Sequence, residues 1–327
     1  MKSVNQILIM GSGAIGAFVG AYLTRAGERV VFCARGEMLR ALKEHGLRMG
    51  GIRGEFTINP IVATVDPREF APYDICIFCV KSYDTESAAR QLIGCLAPGG
   101  VVITLQNGIE NEYRIEEILG KGRVLAGNSR IGAEVKAPGV VHHSSTGYAD
   151  IGELDGSDSE RLRRIAAIFD RAGILGSTIA NFRLARWEKL LGNCCYNVVA
   201  TLTRRPLGPL TDDPDTARLM RTLLTEAITV AHAEGAPIQM EFIDESLEHA
   251  QKILRKNRPS TLQDLERGKP LEYEAISGAV IRAARRHGIE VPVTEAMYAL
   301  LKMLDPALNA KAAKKDPADP SAPGAAR

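Results

Sequence analysis

Lys189, Asn193 and Asn197 recur at four-residue spacing within Trp187-Glu-Lys-Leu-Leu-Gly-Asn-Cys-Cys-Tyr-Asn197. Residues four apart on a helix share one face. A cation and two carboxamides would therefore line up among Trp187, Leu190, Leu191, Val198 and Val199, side chains that belong in a core. Such a polar stripe in apolar company is costly unless something polar docks against it. An ammonium flanked by amides can hold an oxygen while negative charge builds on it, and then protonate it. On a helix the bland reading of a lysine is a snorkelling surface residue. The position of Lys189 two residues after Trp187, with amides on the same face, favours the chemical one.

A partner for that chemistry is legible at the N-terminus. Ile7-Leu-Ile-Met-Gly-Ser-Gly-Ala-Ile-Gly16 reads as a buried strand entering a G-x-G-x-x-G turn ahead of a helix. In that setting Gly11 permits the tight turn, Gly13 lets backbone N–H groups approach a pyrophosphate, and Gly16 allows close helix–strand packing. Ser12, Ala14 and Ile15 complete the loop, whose helix N-terminus favours phosphate. The next strand ends in Val31-Phe-Cys-Ala-Arg-Gly36, with no acid to bind ribose hydroxyls but with Arg35. A guanidinium there suits a 2′-phosphate, so the expected cofactor is NADP, as NADPH. Lys81, just past the strand Ile75–Val80, is a second cation at the strand ends where ligands lie. The two stretches together imply a nicotinamide enzyme whose proton donor is a lysine.

The elements that must position these residues follow from periodicity. Strands are expected at Ile7–Met10, Arg29–Cys33, Ile75–Val80 and Val101–Leu105, with helices at Ala14–Ala26, Glu37–His45 and Thr85–Leu96. Such alternation implies a doubly wound, mainly parallel sheet. Gly46 to Gly54 looks hairpin-like, and Val140–His143 and Ala149–Gly152 are expected as strands near the rim of this domain. Helical patterns then dominate: Arg183–Leu202, Asp215–Glu234, Met240–Arg255, Leu271–His287 and Thr294–Lys302. The expectation is a Rossmann-type α/β domain over 1–180, an all-α domain over 181–309 and a disordered tail over 310–327.

Composition sets the class. The 327 residues suit two domains, and 45% apolar with 24% charged content is ordinary for a globular chain. A net charge of +2 gives no reason to expect nucleic acid or an anionic membrane as the partner. The cysteines at 33, 76, 79, 95, 194 and 195 lie mostly in apolar runs, as buried free thiols of a reducing compartment would. Cys76 and Cys79 have redox spacing, yet three residues apart in a strand they point to opposite faces. No metal site is expected. Lys2 and the apolar run to Leu23 mimic a signal peptide, but the four glycines in that run argue for a cofactor loop and a cytoplasmic protein.

With these residues in view, the chain resembles the ketopantoate reductase (2-dehydropantoate 2-reductase) family from the glycine loop to about Leu304. The motifs that carry the resemblance occur in order: the glycine loop, Val80-Lys-Ser-Tyr83, Leu105-Gln-Asn-Gly108, the Trp187 to Asn197 stretch, and Ser260-Thr-Leu-Gln-Asp264 followed by Glu272. The resemblance implies a Rossmann domain plus a helical domain and NADPH-dependent reduction of 2-dehydropantoate to pantoate, towards coenzyme A. It implies that Lys189 is the general acid, that Asn193 and Asn197 contact the substrate's hydroxyl or carboxylate, and that Ser260 binds its carboxylate. Asn107 would sit beside the nicotinamide and help align Lys189. Glu272 would accept a hydrogen bond from the substrate's hydroxyl or the cofactor ribose, and Arg35 and Lys81 would hold the phosphate. Two positions depart from the family pattern: Leu207 in Pro206-Leu-Gly208 replaces an Asn, and Val198 replaces a frequent Pro. Another 2-oxo acid as substrate, or a non-catalytic NADP-binding sensor, stays open. So does assembly as a homodimer.

Overall fold

Strand β1 (Gln6–Met10) is apolar on both faces, the mark of a central strand in a sheet covered twice. Ile7 and Ile9 pack on one side with Phe18, Ile165 and Phe169. Leu8 and Met10 pack on the other with Ala88, Ala89 and Ile115. The computed structural model describes residues 5–315. Its first compact unit closes at Arg186 and its second opens at Trp187.

In the first unit β1 is followed by α1 (Ala14–Arg25), β2 (Arg29–Cys33), α2 (Gly36–His45), β3 (Leu47–Gly51), β4 (Phe56–Ile58) and β5 (Val62–Thr64). Then come β6 (Tyr73–Phe78), α3 (Thr85–Gln91), β7 (Leu96–Thr104), α4 (Asn111–Leu119) and β8 (Val124–Arg130). The unit continues with β9 (Ala133–Ala137), β10 (Val140–His143), β11 (Tyr148–Glu153), α5 (Glu160–Arg171) and β12 (Leu175–Thr178). The main sheet runs β12-β11-β8-β7-β6-β1-β2-β5. All its pairings are parallel except β8 with β11. The chain leaves β1 towards β2 and returns to its other side at β6. That reversal puts the topological switch point at the C-terminal end of β1, where the glycine loop begins.

Several expectations shift. Val140–His143 is a strand, but it pairs with β3 and β9 in a separate four-stranded sheet, β4-β3-β10-β9. The helix expected over Thr85–Leu96 ends at Gln91, because the chain turns through Gly94 at φ +79° and Leu96 already starts β7. The strand β8 was not legible, since its Ala126-Gly-Asn-Ser129 stretch has little β preference. Close packing overrides that preference: a Cβ at Gly127 would stand 2.8 Å from the Thr104 carbonyl oxygen.

The second unit is helical. α6 (Phe182–Gly192) runs into a π-helical segment, Asn193–Asn197, and on into α7 (Val198–Thr203). After these come α8 (Leu207–Asp212), α9 (Pro214–Ala233), α10 (Phe242–Lys252), α11 (Ser260–Glu266), α12 (Ser277–Arg286), α13 (Pro292–Met303) and α14 (Pro306–Lys315). The Asp213 side chain caps α9 by accepting from the Thr216 N–H. The helix expected from Leu271 starts only at Ser277, leaving Glu272 in the preceding turn. The expected tail begins inside α14, and its remainder lies outside the described residues. No helix among the described residues is long and apolar enough to cross a membrane. The six cysteines are free thiols, with Cys79 half-buried and the others buried. Cys76 and Cys79 do pack against opposite faces of the sheet.

Candidate active site

The glycine loop is shaped by what a side chain would strike. Gly11 has φ +96°, and a Cβ there would stand 2.7 Å from the backbone nitrogen of Val80. A Cβ at Gly16 would stand 2.1 Å from the Gly11 carbonyl oxygen. At Gly13 a Cβ would meet nothing within 4 Å, so this glycine faces open space. Gly13 is also the N-cap of α1, with no side-chain cap and no acid in the first turn. The first N–H groups of α1 have no intrahelical partner and point towards that space. These features fit a pyrophosphate. Ser12 instead ties the loop to β2, its N–H and hydroxyl both donating to the Cys33 carbonyl, at 3.1 and 2.9 Å. Ile15 packs against the core.

Arg35 follows β2 and is largely exposed, and its Nη2 lies 2.7 Å from the Asp84 carboxylate. Lys81 is half-buried at the start of a 3-10 turn, Ser82–Asp84, just past β6. Both cations thus stand at the C-terminal ends of strands flanking β1.

Asn107 sits in a turn held by buried hydrogen bonds. The Gln106 side chain donates to the Val80 carbonyl at 2.9 Å and to the Thr85 hydroxyl at 2.8 Å, and accepts from Thr104 at 2.9 Å. Thr85 donates to Asn111, whose amide donates back to the Asn107 carbonyl at 2.7 Å. Arg186 completes the arrangement: its Nη1 donates to the Gln106 carbonyl at 2.7 Å, and its Nη2 is ion-paired with Glu112. Arg186 is 3% exposed and Glu112 1%, so the pair is fully buried. Gln106 stood in plain view beside Asn107, but nothing in the sequence links Arg186 to Glu112.

In the second unit Lys189 is half-buried, as is Asn193, and Asn197 is buried. The π segment corrects the straight helix expected here. An α-helix advances roughly 100° per residue, so two successive four-residue steps would leave Asn197 about 80° off the Lys189 face. The wider i→i+5 turn advances by roughly 80° per residue, and its four steps fall short of a full turn by about the amount the first step overshot. Asn197 is thereby swung back over Lys189. Its Nδ2 donates to the Thr261 hydroxyl at 3.2 Å, a contact the sequence did not announce. The Nδ2 of Asn193 is buried without a hydrogen-bond partner, a donor awaiting an acceptor. Ser260 is exposed and is the first residue of α11. Glu272 is 6% exposed. Leu207, at the start of α8, is fully buried.

The family model for ketopantoate reductase PanE/ApbA matches residues 7–156, and that for the C-terminal part of the same family matches 181–305. The chain belongs to the ketopantoate reductase family. The 2-dehydropantoate 2-reductase of Halobacterium salinarum is 34% identical over 300 residues, spanning 91% of this chain and 98% of that protein. The crystal structure of 2-dehydropantoate 2-reductase from Geobacter metallireducens GS-15 superposes with a TM-score of 0.86 at 32% identity, covering 91% of this chain and 99% of the other. A ternary structure of D-mandelate dehydrogenase with NADH and anilino(oxo)acetate reaches a TM-score of 0.87 over 93% and 99% of the two chains. At 21% identity it shares the fold alone. As a ketopantoate reductase family member the chain is an oxidoreductase, of a family that uses a nicotinamide cofactor. The two family models leave 157–180 unmatched, the stretch holding α5 and β12.

Proposed function

We propose that this protein reduces 2-dehydropantoate to pantoate with NADPH, as a step of pantothenate and coenzyme A biosynthesis, with Lys189 as general acid. The observation that carries the reading is the Lys189, Asn193, Asn197 stripe. It holds a buried amide donor without a partner, in a chain with 34% identity to a 2-dehydropantoate 2-reductase. NADPH, when bound, would supply the hydride that the ketone carbon takes up. The first N–H groups of α1 bind the pyrophosphate, Gly13 leaves it room, and Arg35 with Lys81 takes the 2′-phosphate. Asn107 would contact the nicotinamide, on a turn that the Gln106 and Arg186 bonds keep from shifting. As charge develops on the ketone oxygen, the Lys189 ammonium stabilises it and then protonates it. Asn193 donates to the substrate's oxygens, Asn197 holds the adjoining one, and Ser260 takes the carboxylate at the N-terminus of α11. Glu272 accepts from the hydroxyl that forms.

A second reading changes only the substrate. Leu207 is buried and offers no amide to a hydroxylated acid. A less hydroxylated 2-oxo acid would not miss that bond. The deciding experiment is NADPH oxidation by the purified protein with 2-dehydropantoate beside a panel of branched and aromatic 2-oxo acids. High kcat/KM on 2-dehydropantoate alone supports the first reading, and activity confined to another acid supports the second. Tight NADPH binding with no turnover on any acid would make the protein a sensor.

A further inference from the structure

The Arg35–Asp84 pair joins two different strand ends. Arg35 follows β2 and Asp84 ends the turn after β6, and β1 lies between them. Strands sit about 4.8 Å apart, so the pair reaches across roughly 10 Å, over the point where the glycine loop leaves β1. Arg35 is 72% exposed and Asp84 33%, and an ion pair so open to water is weak enough to be exchanged for another anion. The carboxylate engages the guanidinium that would receive a 2′-phosphate, and a carboxylate and a phosphate compete for the same donors. Asp84 has no second duty to α3: its side chain makes no capping hydrogen bond to that helix.

We infer that Asp84 is a specificity-determining residue for the cofactor: it competes with the 2′-phosphate for Arg35 and so narrows the preference for NADPH over NADH. The inference rests on the cofactor reading proposed above. A phosphorylated cofactor must displace Asp84 from Arg35 or share the guanidinium with it, beside a like charge. An unphosphorylated one leaves the pair intact. Asp84 therefore weakens NADPH binding and spares NADH.

The test is equilibrium binding of NADPH and of NADH, followed by nicotinamide fluorescence, to the wild type, Asp84→Asn, Arg35→Ala and the double variant. Removing one exposed charge and its pair should tighten NADPH by about 3- to 10-fold in Asp84→Asn and leave NADH within about 2-fold. In the Arg35→Ala background the gain should vanish, since there is then no guanidinium to compete for. Weaker NADPH binding by Asp84→Asn would mean that Asp84 orients Arg35, and would overturn the inference. An equal change for both cofactors, no change, or a gain that survives loss of Arg35 would overturn it too. If the wild type itself bound neither nucleotide, the proposed function would fall as well, which separates the two failures.

Discussion

Lys189 and Arg35 carry separable claims, because one is proposed to act on the substrate and the other on the cofactor. Lys189→Ala should lower kcat by roughly 10²- to 10⁴-fold, the usual loss for a general acid, with NADPH affinity retained. Steady-state kinetics beside a binding titration checks this, and unchanged turnover would remove Lys189 from the chemistry. Arg35→Ala should weaken NADPH far more than NADH, since only the former carries the group a guanidinium clamps. Equal losses in the two titrations would take the phosphate away from Arg35. Leu207 yields a third prediction, of stability rather than rate. It is fully buried, so Leu207→Asn, which restores the family's usual residue, should cost about 2–5 kcal/mol by burying an unpaired amide in place of a packed leucine. Urea denaturation reads this directly, and an unchanged midpoint with improved 2-dehydropantoate turnover would show the position to be tolerant and polar. The types and spacing of Lys189, Asn193 and Asn197 were legible because a polar stripe in an apolar helix is conspicuous. Thr261 was not: a hydroxyl that meets Asn197 across 64 residues leaves no local trace.

At the scale of elements, β1, α1 and β2 could be drawn from the sequence almost to the residue, since their apolar runs and glycine punctuation agree with their tertiary surroundings. The long helix from Arg183 could also be drawn, but its π segment could not. Nothing in Asn193-Cys-Cys-Tyr-Asn197 marks an inserted residue, and only packing selects the wider turn. The turn after β7 is the other element set by distant partners. Its fastening is the Arg186–Glu112 pair, two charges withdrawn from water and aimed at each other and at the Gln106 carbonyl. Breaking such a pair strands a charge. Glu112→Gln should therefore destabilise the protein by about 3–5 kcal/mol, far more than loss of an exposed pair. Chemical denaturation of this variant beside Arg218→Ala, which removes the exposed pair with Asp215, makes the comparison internal. Equal effects would mean that Glu112 is solvated in solution.

For the whole molecule, the fold class was legible because strand–helix alternation gives way to uninterrupted helical periodicity, while the second sheet was not. Its hairpins, β3 with β4 and β9 with β10, are local, but they become one sheet only where Leu47–Gly51 meets Val140–His143, a distant pairing that no local pattern announces. The buried cysteines turn this architecture into a reporter of global opening. Cys76 lies in the sheet core, and Cys194 and Cys195 lie in the helical unit, where burial pushes the Cys194 thiol up to about 12. At pH 8 none of the three should react with a thiol reagent until the chain opens. A ligand that binds only the folded form suppresses opening by mass action, so NADPH at 100 times its Kd adds about 2.7 kcal/mol. Labelling of Cys76, followed by mass spectrometry of its peptide, should then slow by about 100-fold. Labelling of Cys76 that ignores NADPH would mean that the sheet opens without releasing the cofactor, and the glycine loop would cease to be its anchor.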